Sequence, residues 1–134
     1  MRCSFRASSL SFGANSLGGE RDLSRLLRSL DPRLDPERYS FTATNEAVLQ
    51  DGQFALIREA EGLTSIRSDP SGEWARISLG VHSSLEAIGL TAALSSRLAD
   101  ARISANIVAG LFHDHLFVPW ERREEALEAL RVAA

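Results

Sequence analysis

Lysine is absent from this chain: all 15 basic residues are arginine. So complete a bias is the expected product of GC-rich codon usage and points to a bacterial source rather than to a demand for guanidinium groups. Cysteine occurs once, as Cys3, which excludes an internal disulfide and a cysteine metal cage. No apolar run approaches the ~20 residues of a membrane-spanning helix, so the cytoplasm is the expected location. An excess of positive charge is also missing. The net charge of −3 removes the electrostatic case for a nucleic-acid partner. Acidic residues are absent from positions 1–19, where Arg2, Arg6, five serines and three glycines instead suggest a disordered leader.

What is present is ordinary globular material. Hydrophobic residues make up 44% and charged residues 25% of 134 positions. A chain of this size forms one domain, or two very small ones sharing a core, and buries roughly two-thirds of its unfolded surface without staples. Leu23, Leu26, Leu27 and Leu30 fall on one helical stripe that Pro32 stops. Asp31-Pro32 and Asp35-Pro36 predict a turn-rich connection. Beyond it, Tyr39, Phe41 and Ala43 alternate with Ser40, Thr42 and Thr44 as in a half-buried strand. After a loop over 45–52, residues 54–59 and 63–67 read as a hairpin turning through Ala60-Glu61-Gly62. Asp69-Pro70-Ser71-Gly72 closes this first half, and the internal boundary is placed there.

The second half has a clearer pattern. Trp74 to His82 reads as a central strand, with Ala75, Ile77, Leu79 and Val81 on one face. Ser83 stands three residues before Glu86, the spacing of a capping box, and predicts a helix from about Ser84. Its face is Ala87, Leu90, Thr91, Leu94, Leu98 and Ala101. Residues 103–110 and 113–118 read as paired strands. Pro119 leads into a last helix with Ala126, Leu127 and Leu130 inward. The order β-α-β-β-α predicts helices on one face of an antiparallel sheet, an α+β, ferredoxin-like architecture. One strand is lacking, so the first half is expected to lend it.

The segments Val81–Ala92, Ile103–Gly110 and His113–Pro119 resemble those of small stand-alone bacterial ACT-domain proteins, related to the regulatory domains of aspartate kinases and to tandem-ACT cytosolic arginine sensors. The resemblance runs from Tyr39 to the C-terminus and is strongest from Trp74 to Leu130. It implies two ACT-like halves that share elements: an N-terminal half over 20–72 and a C-terminal ACT domain over 73–134. It also implies a non-catalytic regulatory module, without cofactor, that binds an amino acid or similar metabolite and pairs as a homodimer. By motif position the ligand would meet the turn Ser83, Ser84, Leu85, Glu86, Ala87, Ile88 and Gly89, the strand residues Asn106, Ile107 and Val108, and Asp114.

Independent physical readings accompany that site. Amides at a helix start seat an α-carboxylate, Asn106 both donates and accepts, and Glu86 or Asp114 suits an ammonium group. Gly89 permits close approach of either a ligand or a packed strand. His113 and His115 alternate and would share a strand face, inviting a metal reading. Asp114 would point to the opposite face, however, which leaves too few ligands for a zinc site. His82, Ser83 or Ser84, and Asp114 contain the residue types of a hydrolase triad but no Gly-x-Ser-x-Gly elbow, so no catalytic assignment is made. A structural interaction domain without ligand is the remaining alternative. Trp74 and Trp120, each at the edge of an element, read as core or interface aromatics.

Overall fold

The computed structural model describes residues 19–131, and the expected leader falls almost wholly outside them. In chain order the elements are α1 (Leu23–Arg28), β1 (Pro32–Thr44), β2 (Gln53–Glu59), β3 (Gly62–Ser68), β4 (Trp74–Leu79), α2 (Leu90–Asp100), β5 (Asn106–Ala109), β6 (Asp114–Pro119) and α3 (Arg123–Arg131). A single 3-10 turn at Trp120–Arg122 leads into α3. Among the described residues no helix is long and apolar enough to cross a membrane.

The six strands form one antiparallel sheet in the order β2-β3-β1-β4-β6-β5. Two ferredoxin-like units overlap in this order. In the C-terminal unit β4, β5 and β6 take the first three strand positions, and β1 fills the missing fourth beside β4. In the N-terminal unit β1, β2 and β3 come first, and β4 is the fourth. Each unit therefore completes its sheet with the other's first strand. The N-terminal unit has no helix between its strands: a loop over 45–52 and the turn at 69–73 stand where the C-terminal unit has α2 and α3.

Strand β1 corrects the expected turn over 31–36. Pairing with β4 draws the chain into the sheet from Pro32, with Pro32 opposite Leu79 and Leu34 opposite Ile77. The prolines are tolerated because Pro32 opens the strand and Pro36 sits in the irregularity between Leu34 and Arg38, where the ladder asks for no amide donor. There the Glu37 amide donates instead to the Asp35 carboxylate at 2.9 Å.

The helices cover one face. Leu26, Leu90, Leu94, Leu98, Leu127 and Leu130 pack against Ala75, Ile77 and Leu79 of β4 and Leu116 and Val118 of β6. The alternation of β4 and β6 thus delivers one apolar side to the helices and sends Trp74, Arg76, Ser78, His115 and Phe117 to the other. On that second face the sheet curls, because β2 comes against β6 despite the three strands between them. The Phe54 ring lies 4.8 Å from His115 and 5.4 Å from Phe117, edge to face. Tyr39, Ile66 and Phe117 are the buried centre of this concave cluster.

Candidate functional site

The turn from Ser83 to Gly89 is not the start of a helix. Helix α2 begins at Leu90, with Gly89 as its N-cap in the left-handed conformation (φ 91°) and no side-chain cap bond. The expected capping box is therefore absent. Ser83, buried at 5% exposure, donates its hydroxyl to the Asp114 carboxylate at 3.1 Å. Glu86 forms an ion pair with Arg21. The Ser84 hydroxyl accepts from the Glu86 amide at 3.1 Å.

The reason is a segment that periodicity did not single out. Residues 19–22 run alongside the turn: the Glu20 amide donates to the His82 carbonyl at 2.9 Å, and the Glu20 carbonyl accepts from the Ser84 amide at 2.9 Å. Gly19 packs so closely that a Cβ there would stand 2.4 Å from the Ser83 carbonyl carbon. The Gly18-Gly19 pair was the available signal. With the Ser84 and Glu86 amides engaged in this way, and Ala87 donating to the Ser84 carbonyl at 3.0 Å, three amides expected to face a ligand are occupied. The free donors are those of the true helix start, where the first amides of α2 have no intrahelical partner.

Those donors border a small cavity of about 70 Å³ between Leu85, Ala87, Leu90, Thr91, Ala109 and Asp114. Ser84 also reaches it. Asp114 is 8% exposed, opens β6 on the helix-covered face, and pairs with Ala109 of β5. Of the expected residues, Ser84, Leu85, Ala87 and Asp114 meet at the cavity, with Ser83 behind Asp114. Glu86 is turned to Arg21, and Ile88 is 86% exposed. Asn106, Ile107 and Val108 lie along β5, the outer strand of the sheet, and do not line the cavity. Leu90 and Thr91 do line it, although in the sequence both read only as part of the sheet-facing stripe of the helix.

Leu85 and Ile88 on the turn, and Leu111 and Phe112 on the β5–β6 connection, are exposed large apolar residues at this same end. The Phe112 ring is 5.8 Å from His82. A rim of this kind is a recognisable mark of an interaction surface.

Of the two histidines expected on one strand face, only His115 lies within a strand. His113 precedes β6, and its Nδ1 donates to the Val81 carbonyl at 3.3 Å. His115 sits within β6 on the concave face, its Nδ1 2.7 Å from the Ser78 hydroxyl. Burial, with Arg76 and His113 nearby, lowers the pKa of His115 below 6.5. Among the described residues no three histidine, cysteine or acidic side chains are gathered about a common point.

The overlapping ferredoxin-like units define an α+β module, and its family is shown by two sequence matches. An ACT domain model matches residues 18–79, and a second ACT domain model matches residues 71–132. The chain belongs to the ACT-domain family, as a tandem ACT-domain protein. The stretch common to both matches, 71–79, contains β4, the strand that belongs to both units of the sheet.

Among solved structures, a Vibrio cholerae protein of unknown function, described as a possible transport protein, is 43% identical. It aligns with a TM-score of 0.71 over 81% of this chain and 92% of its own. An Agrobacterium tumefaciens protein, 19% identical, aligns with a TM-score of 0.58 over 75% of this chain and 86% of its own and shares the fold. Comparison with curated proteins finds no match. ACT domains are regulatory small-molecule-binding modules.

Proposed function

We propose that the protein is a sensor that receives a small metabolite, an amino acid, at the start of α2 beside Asp114, and passes the signal on by self-association or through a partner. The observation that carries this reading is the Asp114 carboxylate, nearly buried yet bordering a cavity, with the Ser83 hydroxyl fixing it from behind. An α-ammonium pairs with that carboxylate, and an α-carboxylate accepts from the first amides of α2.

The enclosed volume, about 70 Å³, falls well short of the ~300–1,000 Å³ of ordinary ligand pockets. A second copy supplies the remaining wall. Both the exposed edge of β5, where Asn106 and Ala109 face solvent, and the apolar residues at 85, 88, 111 and 112 favour such pairing. In a homodimer built on β5, Asn106 to Val108 come to the interface, which reconciles their distance from the cavity with a role in binding.

Thermal unfolding against the standard amino acids tests the reading. A ligand at a hundred times its Kd adds about 2.7 kcal/mol of stability, raising Tm by roughly 10 °C in a chain of this size. Light scattering with and without the ligand should show a change in association. If no amino acid moves Tm, the sensor assignment fails, and the apolar rim would then favour a purely structural interaction domain.

A further inference from the structure

A larger cavity lies at the opposite end of the same strands. Asp114 and Pro119 bound β6, five residue steps or about 17 Å apart. At the Pro119 end is a groove of about 430 Å³ lined by Arg38, Glu73, Trp74, Pro119, Trp120 and Glu121. It forms where β1, the strand lent by the N-terminal unit, meets the first strand of the C-terminal unit. Its volume is that of a small-molecule pocket.

The walls are held before any ligand arrives. The Trp120 amide donates to the Glu73 carbonyl at 2.8 Å. Arg123 donates to the Trp120 carbonyl at 2.8 Å, with its guanidinium 3.9 Å from the indole centroid. Trp74 meets Phe41 edge to face at 5.7 Å. Arg38 is anchored through Nε to the Gly72 carbonyl at 2.6 Å and lies 4.8 Å from the Trp120 ring.

The charges, in contrast, are uncommitted. Among the described residues the terminal nitrogens of Arg38 have no hydrogen-bond or ion-pair partner, and neither do the carboxylates of Glu73 and Glu121. A lone carboxylate entering the groove gains Arg38 but meets two acids, and a lone cation gains the acids but meets Arg38. A molecule carrying both charges on an apolar body satisfies these three groups: its anion pairs with Arg38, its cation with Glu73 and Glu121, and its body rests against Trp74 and Pro119, since the Trp120 ring already carries the Arg38 and Arg123 guanidiniums. We propose that this groove binds a zwitterionic small molecule of that chemistry, an α-amino acid with an aromatic or aliphatic side chain, at a site separate from the turn beside Asp114.

Trp74 and Trp120 are the only tryptophans in the chain, so their fluorescence reports on the groove. The intact protein is titrated with L-phenylalanine and L-leucine under excitation selective for indole. A saturable change is expected for at least one of them. The matching N-acetyl amino acid and amino acid amide, each lacking one charge, should bind at least about ten-fold more weakly. The exposed pair Glu73→Gln and Glu121→Gln should weaken the response by a similar factor, and Asp114→Asn should leave it unchanged.

Three results overturn the proposal: no saturable change up to about 10 mM, an amide or N-acetyl derivative binding as well as the parent, or loss of the response in Asp114→Asn with retention in the glutamine pair. The last would assign the signal to the other site and leave the sensor reading standing. A groove response without any effect of Asp114 variants on ligand-induced Tm shifts would remove the turn site and keep this one.

Discussion

Asp114 and Ser83, thirty-one positions apart in the chain, meet in a buried hydrogen bond of 3.1 Å, donated by the hydroxyl to the carboxylate. Asparagine at 114 keeps an oxygen to accept from Ser83, and loses the charge by exchanging the other oxygen for an NH2 group. Asp114→Asn should therefore change unfolding free energy by less than about 1 kcal/mol while weakening an ammonium-bearing ligand about ten-fold or more. Alanine leaves the buried Ser83 hydroxyl without its partner and should cost about 1–3 kcal/mol in urea denaturation. Equal stability loss in both variants would remove the special role of the charge.

Backbone conformation predicts opposite results at the two ends of α2. Gly89 holds φ 91° at the N-cap, and a side chain there would also approach Leu23 at 3.2 Å. Gly89→Ala should destabilise by about 1–2 kcal/mol. A larger residue at 89 is accordingly a test of folding rather than of ligand binding. At the other end Arg102 adopts φ 58° in a Schellman arrangement. Its amide donates to the Ala99 carbonyl and that of Ile103 to the Leu98 carbonyl, each at 2.9 Å. Arg102→Gly should stabilise by up to about 1 kcal/mol, measured by the same denaturation.

Tyr39 is the only tyrosine, which makes its ionisation directly visible in the ultraviolet. Burial pushes its pKa up to about 12, against the opposing influence of the Arg76 guanidinium. Absorbance near 295 nm should titrate close to that value in the folded protein and near 10 in denaturant. Because the folded pKa is the higher, this contribution to stability is fully present below pH 10 and is lost as pH rises from about 10 towards 12. A folded-state midpoint at 10 would show that the ring is not buried as described.

Arg76 lies on the concave face 5.2 Å from the Tyr39 ring and 4.7 Å from the Phe54 ring, and pairs with Asp35 at 2.7 Å. Both side chains are 21% exposed. Asp35→Ala strands the guanidinium and should cost about 1–3 kcal/mol, below the range for a fully buried pair. Adding Arg76→Met should restore much of that loss, since the stranded charge is then gone. No recovery in the double variant would mean that Asp35 acts through its bond to the Glu37 amide instead.

The local pattern of the sequence determined a good deal of this protein. Leu90, Leu94 and Leu98 of α2, and Ala126, Leu127 and Leu130 of α3, are buried on the faces their spacing predicts. The β2–β3 hairpin pairs Glu59 with Gly62 around the expected turn. Such features depend on residues a few positions apart, so periodicity and turn chemistry are enough to read them. The ACT resemblance was legible for the same reason, being carried by continuous segments.

Only the tertiary structure decided where long-range hydrogen bonds go. Pairing with β4 made Pro32 to Glu37 part of a strand, although two prolines locally favour a turn. The clamp of Glu20 on His82 and Ser84 released Ser83 to Asp114 and moved the helix start to Leu90. The curl of the sheet set Phe54 against His115, and the meeting of β1 with β4 set Arg38 beside Trp120. In each case the deciding partner lies far along the chain, and a backbone group takes the bond that satisfies it in the folded state rather than the one its neighbours would suggest.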